Sequence, residues 1–379
     1  MAEMDTLMEL AKGVETAPVE RSLAPTGLVD MPQEVLSGRL GEIYQKHLSA
    51  FPIAYVWPAL VTSAGLLVPL PKVIRTNLYC GLVGAVGTGK STAIERVNTV
   101  LGLGEPPVME LKSGSAEGLL NVIGQCGEPR LVFPDELGHM LGKSQIENSS
   151  FPYVLNSVYY NDHQKLTIAR GKEVQFNCSL SVAGGVVEDK FDDLFGKAST
   201  GGLYDRFIFG QCPTGYSYLW RPPFDGQPEE LNPVPVTVHP SVWDERDAWV
   251  KEIPGMTGRI AEHALRVATI CASLDGNHEL GLFDLAPAQA FAEYQVRVRA
   301  LLKPNPGENF EARAAHKFLA YLQRHASDGQ WVSKRTLLRD TRGYDLGPSI
   351  CDKALAILEY NGDIQQTDKG RQSLVRLIP

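Results

Sequence analysis

Eight residues carry the most chemistry: Gly84, Ala85, Val86, Gly87, Thr88, Gly89, Lys90 and Ser91 match the pattern G-x-x-x-x-G-K-[ST]. An apolar, strand-like run over Leu78–Val83 precedes them, and a helical run from Ser91 to about Leu103 follows. Strand, glycine loop and helix start, in that order, suit a polyphosphate. Glycines let backbone N–H groups curl around phosphate oxygens, and the helix N-terminus adds partial positive charge. In that chemistry Lys90 reaches the β- and γ-phosphates of ATP and the Ser91 hydroxyl ligates Mg2+, while Thr92 closes the nucleotide-binding stretch.

Hydrolysis needs more than a cradle. The run Leu131-Val132-Phe133-Pro134-Asp135-Glu136 reads as a buried strand ending in two carboxylates. Asp135 is suited to the Mg2+ side and Glu136 to polarising the attacking water as general base. Pro134 removes a ladder hydrogen bond and marks the strand's end. Arg206, in Gly202-Leu203-Tyr204-Asp205-Arg206-Phe207, stands just before an apolar strand. An arginine so placed projects across a subunit interface onto the neighbour's γ-phosphate; the plainer alternative is a salt bridge to Asp205 or another carboxylate. Lys90, Glu136 and Arg206 are therefore the expected catalytic set.

Weaker signals accompany these. Arg170 and Lys172 flank Gly171 at the tip of an expected hairpin and are candidate nucleic-acid contacts, although two cations at a turn also suit plain solvent exposure. Arg259 and Arg266, on a helix over Thr257–Leu274, are candidate lid sensors, with surface arginines as the alternative. The strand Cys178–Ala183, ending Ala183-Gly184-Gly185, offers only Asn177, Ser179 and Ser181 as polar neighbours, so the γ-phosphate sensor stays unassigned. Glu188, Asp189, Asp192 and Asp193 read as a solvated helix face before a metal site.

The elements that must position these groups follow from pattern. Residues 1–30 read as a tail, and 31–75 as a helical lead-in packed on the core. Within the lead-in, Leu48–Pro71 carries no charge, but Pro52, Pro58, Pro69 and Pro71 restrict its uninterrupted helix to about Ala59–Val68, too short for a membrane span. Residues 76–240 form the expected ATPase core, with a proline-dense connector from Cys212 to Pro240. A helical lid over 241–302 comes next. In its middle helix Ile260, Ala264, Val267, Ala268 and Cys271 form one apolar face. After the linker 303–307, helix, short strand, two helices and a strand pair over 308–379 suggest a winged helix-turn-helix.

Bulk properties bound the partners. The net charge is −8 and the pI about 5.6, which argues against a surface coated for nucleic acid without excluding a local basic channel. Residues 308–379 hold 11 basic and 9 acidic side chains. Six scattered cysteines form no C-x-x-C pair and the N-terminus has no signal-peptide pattern, so a reducing, cytoplasmic setting is expected.

Over about residues 32–302, the ordered set Gly84–Ser91, Asp135-Glu136, Ala183-Gly184-Gly185 and Gly202–Phe207, with Phe51-Pro52 and Asn77-Leu78-Tyr79, resembles a known family. It is the YfjI-like domain-of-unknown-function family of phosphate-loop ATPases, of the mobile-element primase–helicase type; the primase module often found upstream in that family has no counterpart in this sequence. The expectation is an α/β P-loop NTPase of AAA+ or helicase-like kind, with a three-layer core, helical lid and C-terminal winged helix. Function is expected to be ATP hydrolysis with Mg2+ by a homo-oligomer, a hexamer by analogy. It would act as a helicase or translocase on single- or double-stranded DNA in phage, plasmid or genomic-island replication, alongside a primase or other replication proteins and away from membranes. Two alternatives are an ATP-switched DNA-binding initiator, loader or regulator that does not unwind, and a remodelling or defence ATPase that does not touch nucleic acid.

Overall fold

A computed structural model describes residues 29–69, 73–104, 108–110, 119, 130–134, 136–141, 151–160, 163–167, 173–177, 179–195, 202–213, 216, 218–219, 223–302, 310–326, 329–360, 362–369 and 372–378. In chain order, helices α1 (Gly38–Ile43) and α2 (Ile53–Ala64) lead into strand β1 (Tyr79–Gly84) and helix α3 (Lys90–Val100). Strands β2 (Val108–Glu110) and β3 (Arg130–Phe133) come next, then α4 (Leu137–Leu141), α5 (Phe151–Val158), β4 (His163–Thr167), β5 (Glu173–Asn177), β6 (Leu180–Val187), α6 (Phe191–Phe195) and β7 (Phe207–Gln211). The connector carries β8 (Thr237–Val238), followed by α7 (Ser241–Glu252), α8 (Gly258–Leu274), β9 (Glu279–Leu280) and α9 (Ala286–Leu301). The C-terminal stretch holds α10 (Phe310–His325), β10 (Val332–Ser333), α11 (Lys334–Asp340), α12 (Pro348–Tyr360), β11 (Ile364–Lys369) and β12 (Gln372–Leu377).

The class is α/β. A five-stranded sheet takes the order β2-β3-β6-β1-β7 and includes a parallel sheet of four strands. Chain contacts divide the described residues into two units. One draws on Met1–Met109, Ser181–Gly184 and Ile208–Leu302, the other on Glu110–Leu180, Gly185–Phe207 and Lys303–Pro379. No helix among the described residues is long and apolar enough to cross a membrane.

In the first unit all six residues of β1 are buried, as its apolar run requires for a strand covered on both faces. Helix α2 packs on β1 and α3, and Ser63 Oγ donates to Asn98 Oδ1 at 2.8 Å across the helix pair. This helix begins at Ile53 rather than after Pro58. The N–H groups of Tyr55 and Val56 both bond the Pro52 carbonyl, so the first turn is secured before Pro58 is reached, and proline's fixed φ is itself helical. Helix α8 departs further from its expected single apolar face. Ile260, Ala264 and Ala268 join a cluster with Trp249, Leu280 and Ala292, yet His263, Arg266, Thr269 and Ile270 on its other sides are buried as well. It is a central helix, packed by α1, α2, α7 and α9. From α9, the Gln295 side-chain amide bonds both main-chain groups of Phe209 on β7, accepting from its N–H at 3.0 Å and donating to its carbonyl at 2.9 Å.

A polar knot ties the connector to the lead-in. The Glu229 carboxylate receives Arg39 Nη2 at 2.6 Å, Lys46 Nζ at 2.7 Å and His47 Nε2 at 2.5 Å. Lys46, then His47, pull its pKa down to about 2, with Arg39 adding to them. Because the folded-state pKa lies below the ordinary value of 4.5, this carboxylate's contribution to stability is present above pH 4.5 and is lost as pH falls from there towards 2. Thermal melts of the unmodified chain and of Glu229→Gln should differ at pH 7 and converge over that window; a gap independent of pH would contradict the assignment.

Strand β6 continues through Gly184-Gly185 to Val187 instead of ending at Ala183. Gly185 pairs in parallel with Glu136, so the ladder extends past the glycines although they add no side-chain packing. Strands β4 and β5 pair antiparallel from His163↔Asn177 to Thr167↔Glu173; Arg170 and Lys172, between them, lie outside the described residues. In the C-terminal stretch Phe318, Leu322, Leu337, Leu355, Leu358, Ile364 and Val375 form one core. Helix α11 is capped by Ser333, whose Oγ accepts from Thr336 N at 3.0 Å. Strands β11 and β12 make a hairpin from Ile364↔Leu377 to Lys369↔Gln372, with β10 on the other side of β12.

Candidate nucleotide site

The glycine loop joins the C-terminal end of β1 to the first turn of α3. Gly89 is the N-cap of α3 in the left-handed region, φ 75°, and Gly87 has φ 81°. A side chain at Gly89 would also meet Tyr218, whose Cδ2 lies 2.5 Å from the position of a Cβ. Lys90 folds over the loop, donating from Nζ to the carbonyls of Gly84 at 2.9 Å and Ala85 at 2.6 Å. Ser91 and Thr92 occupy the first turn of α3, where backbone N–H groups have no partner within the helix and favour an anion. Val86, at the tip, is 81% exposed.

Beneath the loop lies an aromatic bed not anticipated from the motif. Phe51 stacks on Tyr218 with centroids 6.0 Å apart, and Tyr55 meets Tyr216 edge-on at 6.5 Å. Tyr55 is fully buried; its hydroxyl lies 3.0 Å from Thr88 Oγ1 and 3.3 Å from the Val83 carbonyl. Burial, then the Cys212 thiol beside it, push its pKa far above the usual tyrosine range. The available signal was aromatic density: Phe51 and Tyr55 in the uncharged lead-in, Tyr216 and Tyr218 in a connector otherwise rich in proline.

Asp135 lies outside the described residues. Glu136 follows the end of β3, half-buried, at the step into α4. Its main chain is held by the bridge to Gly185. Arg206 ends a 3-10 turn, Tyr204–Arg206, directly before β7. Its Nη1 donates to the Gly202 carbonyl at 2.5 Å, and its guanidinium lies 5.3 Å from the Tyr160 ring and 5.9 Å from that of Tyr159, within cation–π range. Lys90 and Ser91 belong to the first unit, Glu136 and Arg206 to the second.

Both candidate lid-sensor arginines make ion pairs within their own helix. Arg266 is 1% exposed; it donates to the Asn77 carbonyl at 2.5 Å, to Asn77 Oδ1 at 3.0 Å and to Glu262 at 2.7 Å. Asn77 precedes β1, at the end opposite the glycine loop, and a six-residue strand separates the two by roughly 20 Å. Arg259 shares Glu262, at 2.6 Å. Helical spacing put both guanidiniums on one carboxylate, and burial turned one of them inward to anchor β1. Arg266→Ala should therefore cost about 3 kcal/mol of stability in chemical denaturation, as for other truncated buried pairs, whereas a sensor would lose turnover with stability unchanged.

Ser181 is buried and its Oγ accepts from Leu78 N at 3.2 Å, and Asn177 ends β5 rather than lying on β6. Glu188, Asp189 and Asp192 are exposed, and no group of three or more metal-binding side chains occurs among the described residues. Magnesium at a phosphate loop needs no such group: it is held by one or two protein oxygens together with phosphate oxygens and water. Comparison of the chain with protein-family models and with curated proteins returns no match.

Proposed function

We propose that this chain is a phosphate-loop ATPase, of the AAA+ or helicase-like kind, that hydrolyses MgATP as a homo-oligomer, with a hexameric ring as the preferred assembly. The observation that carries this reading is the placement of the G-x-x-x-x-G-K-S loop. It joins a fully buried strand to a helix N-terminus, with Gly87 and Gly89 in the positive-φ conformations that bring backbone N–H groups to one side. The sheet order adds support: β6 separates the loop's strand from β3, the strand that leads to Asp135 and Glu136. In this reading Lys90 and the first turn of α3 bind the phosphates, Ser91 and Asp135 hold Mg2+, Glu136 takes the proton of the attacking water, and Arg206 serves a neighbouring subunit. Magnesium, when bound, screens the phosphate charge that develops during transfer.

DNA is the proposed track, with phage, plasmid or genomic-island replication as the setting. The helix-strand-helix-helix-hairpin order over 310–377 supports a winged helix at the C-terminus. One observation favours a docking rather than a base-reading role for that module. On α12, the helix that would enter a groove, Asp352 binds Lys334 at 2.6 Å, Lys353 binds Glu311 at 3.3 Å, and Glu359 accepts from Gln366. Its charges are thus engaged at home, which suits an ATP-switched initiator or loader that meets a protein partner. Phosphate release by the full-length chain, with Mg2+ and with or without single-stranded DNA, tests both readings. Turnover stimulated by DNA supports the translocase, and turnover indifferent to DNA supports the switch or a remodelling ATPase. No turnover under either condition would refute the ATPase.

A further inference from the structure

The geometry points to Tyr55 as a positioning residue for the phosphate loop, its hydroxyl linking the loop's first residues to its middle. The inference rests on the nucleotide reading above. Tyr55 comes from α2, some 30 residues before the loop, and no motif includes it. Its hydroxyl touches the Val83 carbonyl at 3.3 Å, where β1 ends, and Thr88 Oγ1 at 3.0 Å, halfway round the loop. Thr88 in turn donates to the Ala85 carbonyl at 2.8 Å, and Lys90 Nζ reaches the same Thr88 oxygen at 3.3 Å. With the Thr88 proton on Ala85, the single Tyr55 proton is shared between the Val83 carbonyl and Thr88 Oγ1, so one oxygen bridges the strand end and the middle of the loop.

Two further observations show how closely this contact is built. A Cβ at Gly84 would lie 2.1 Å from the Tyr55 hydroxyl, so the first glycine of the motif makes room for the tyrosine as well as for a tight turn. The phenol is also fully buried, and a buried hydroxyl is costly unless partnered. Its raised pKa keeps the proton in place for that bond. Holding the loop at its start and middle lowers the ordering cost when an anion draws in the loop N–H groups. The effect falls on binding; Tyr55 touches no group expected to react.

The test is Tyr55→Phe in the full-length chain, which keeps the ring and deletes one oxygen. ATP affinity, measured by titration with a fluorescent ATP analogue, should weaken about tenfold, the worth of one hydrogen bond. KM should rise in step, with kcat within about twofold and the melting temperature without nucleotide little changed. Thr88→Val, which also loses the Ala85 and Lys90 contacts, should weaken binding at least as much, and adding Tyr55→Phe to it should cost little more, because their shared link is already gone. Unchanged affinity in Tyr55→Phe, or effects that add in full, would overturn the inference while leaving the nucleotide reading intact. If the unmodified chain binds ATP no better than Lys90→Ala, the nucleotide reading fails and this inference with it.

Discussion

Replacing Arg206 with alanine should lower ATP turnover by about 10³-fold or more, the worth of an arginine that meets transition-state charge. In the folded chain the guanidinium rests on the Gly202 carbonyl and beside the rings of Tyr159 and Tyr160. An arginine that reaches a neighbour's γ-phosphate meets a full anionic charge there, a stronger bond than a carbonyl offers. Acting in trans has a distinct signature. Arg206→Ala and Lys90→Ala subunits, each inactive alone, should regain activity when mixed, because some interfaces then pair an intact loop with an intact arginine. Absence of recovery at every mixing ratio would count against the trans role and leave Arg206 as a clamp between Gly202 and the two tyrosines. A circular-dichroism melt of Arg206→Ala separates that outcome from simple unfolding.

Glu136→Gln should bind ATP with near-native affinity and hydrolyse it about 10²–10⁴ times more slowly, the usual contribution of a positioned general base. The substitution keeps the side chain's size, and the main chain stays held by the parallel bridge to Gly185, so the change reports on proton transfer alone. A single-turnover assay with radiolabelled ATP would distinguish retained binding from lost chemistry. Near-normal turnover would remove Glu136 from the base role.

Local code made the strand, glycine loop and helix start legible in the chain. Six apolar residues, three glycines at fixed spacing and a lysine at a helix start are all neighbours in sequence, and each has one ordinary physical use. The helices over 241–302 and the α10–β12 order were readable from periodicity for the same reason. What escaped depended on partners distant in the chain. Arg266 looks like a surface cation on a helix; its burial follows from Asn77, which lies 189 positions earlier. Tyr55 lies in a stretch where Pro58 argues for a broken helix, and its role follows only once α2 is laid on the loop's strand. The glycines of β6 read as a strand end because glycine contributes no side-chain packing, yet the pairing with Glu136 carries the strand through them.

Gln295 also bears on how copies of this chain can meet. Strand β7 is the last in the sheet order, and an open strand flank invites another chain to add its own backbone, the route to fibrillar aggregation. By occupying both the N–H and the C=O of Phe209, a single side-chain amide stands in for a sixth strand at the middle of that flank. Backbone-to-backbone polymerisation is blunted there.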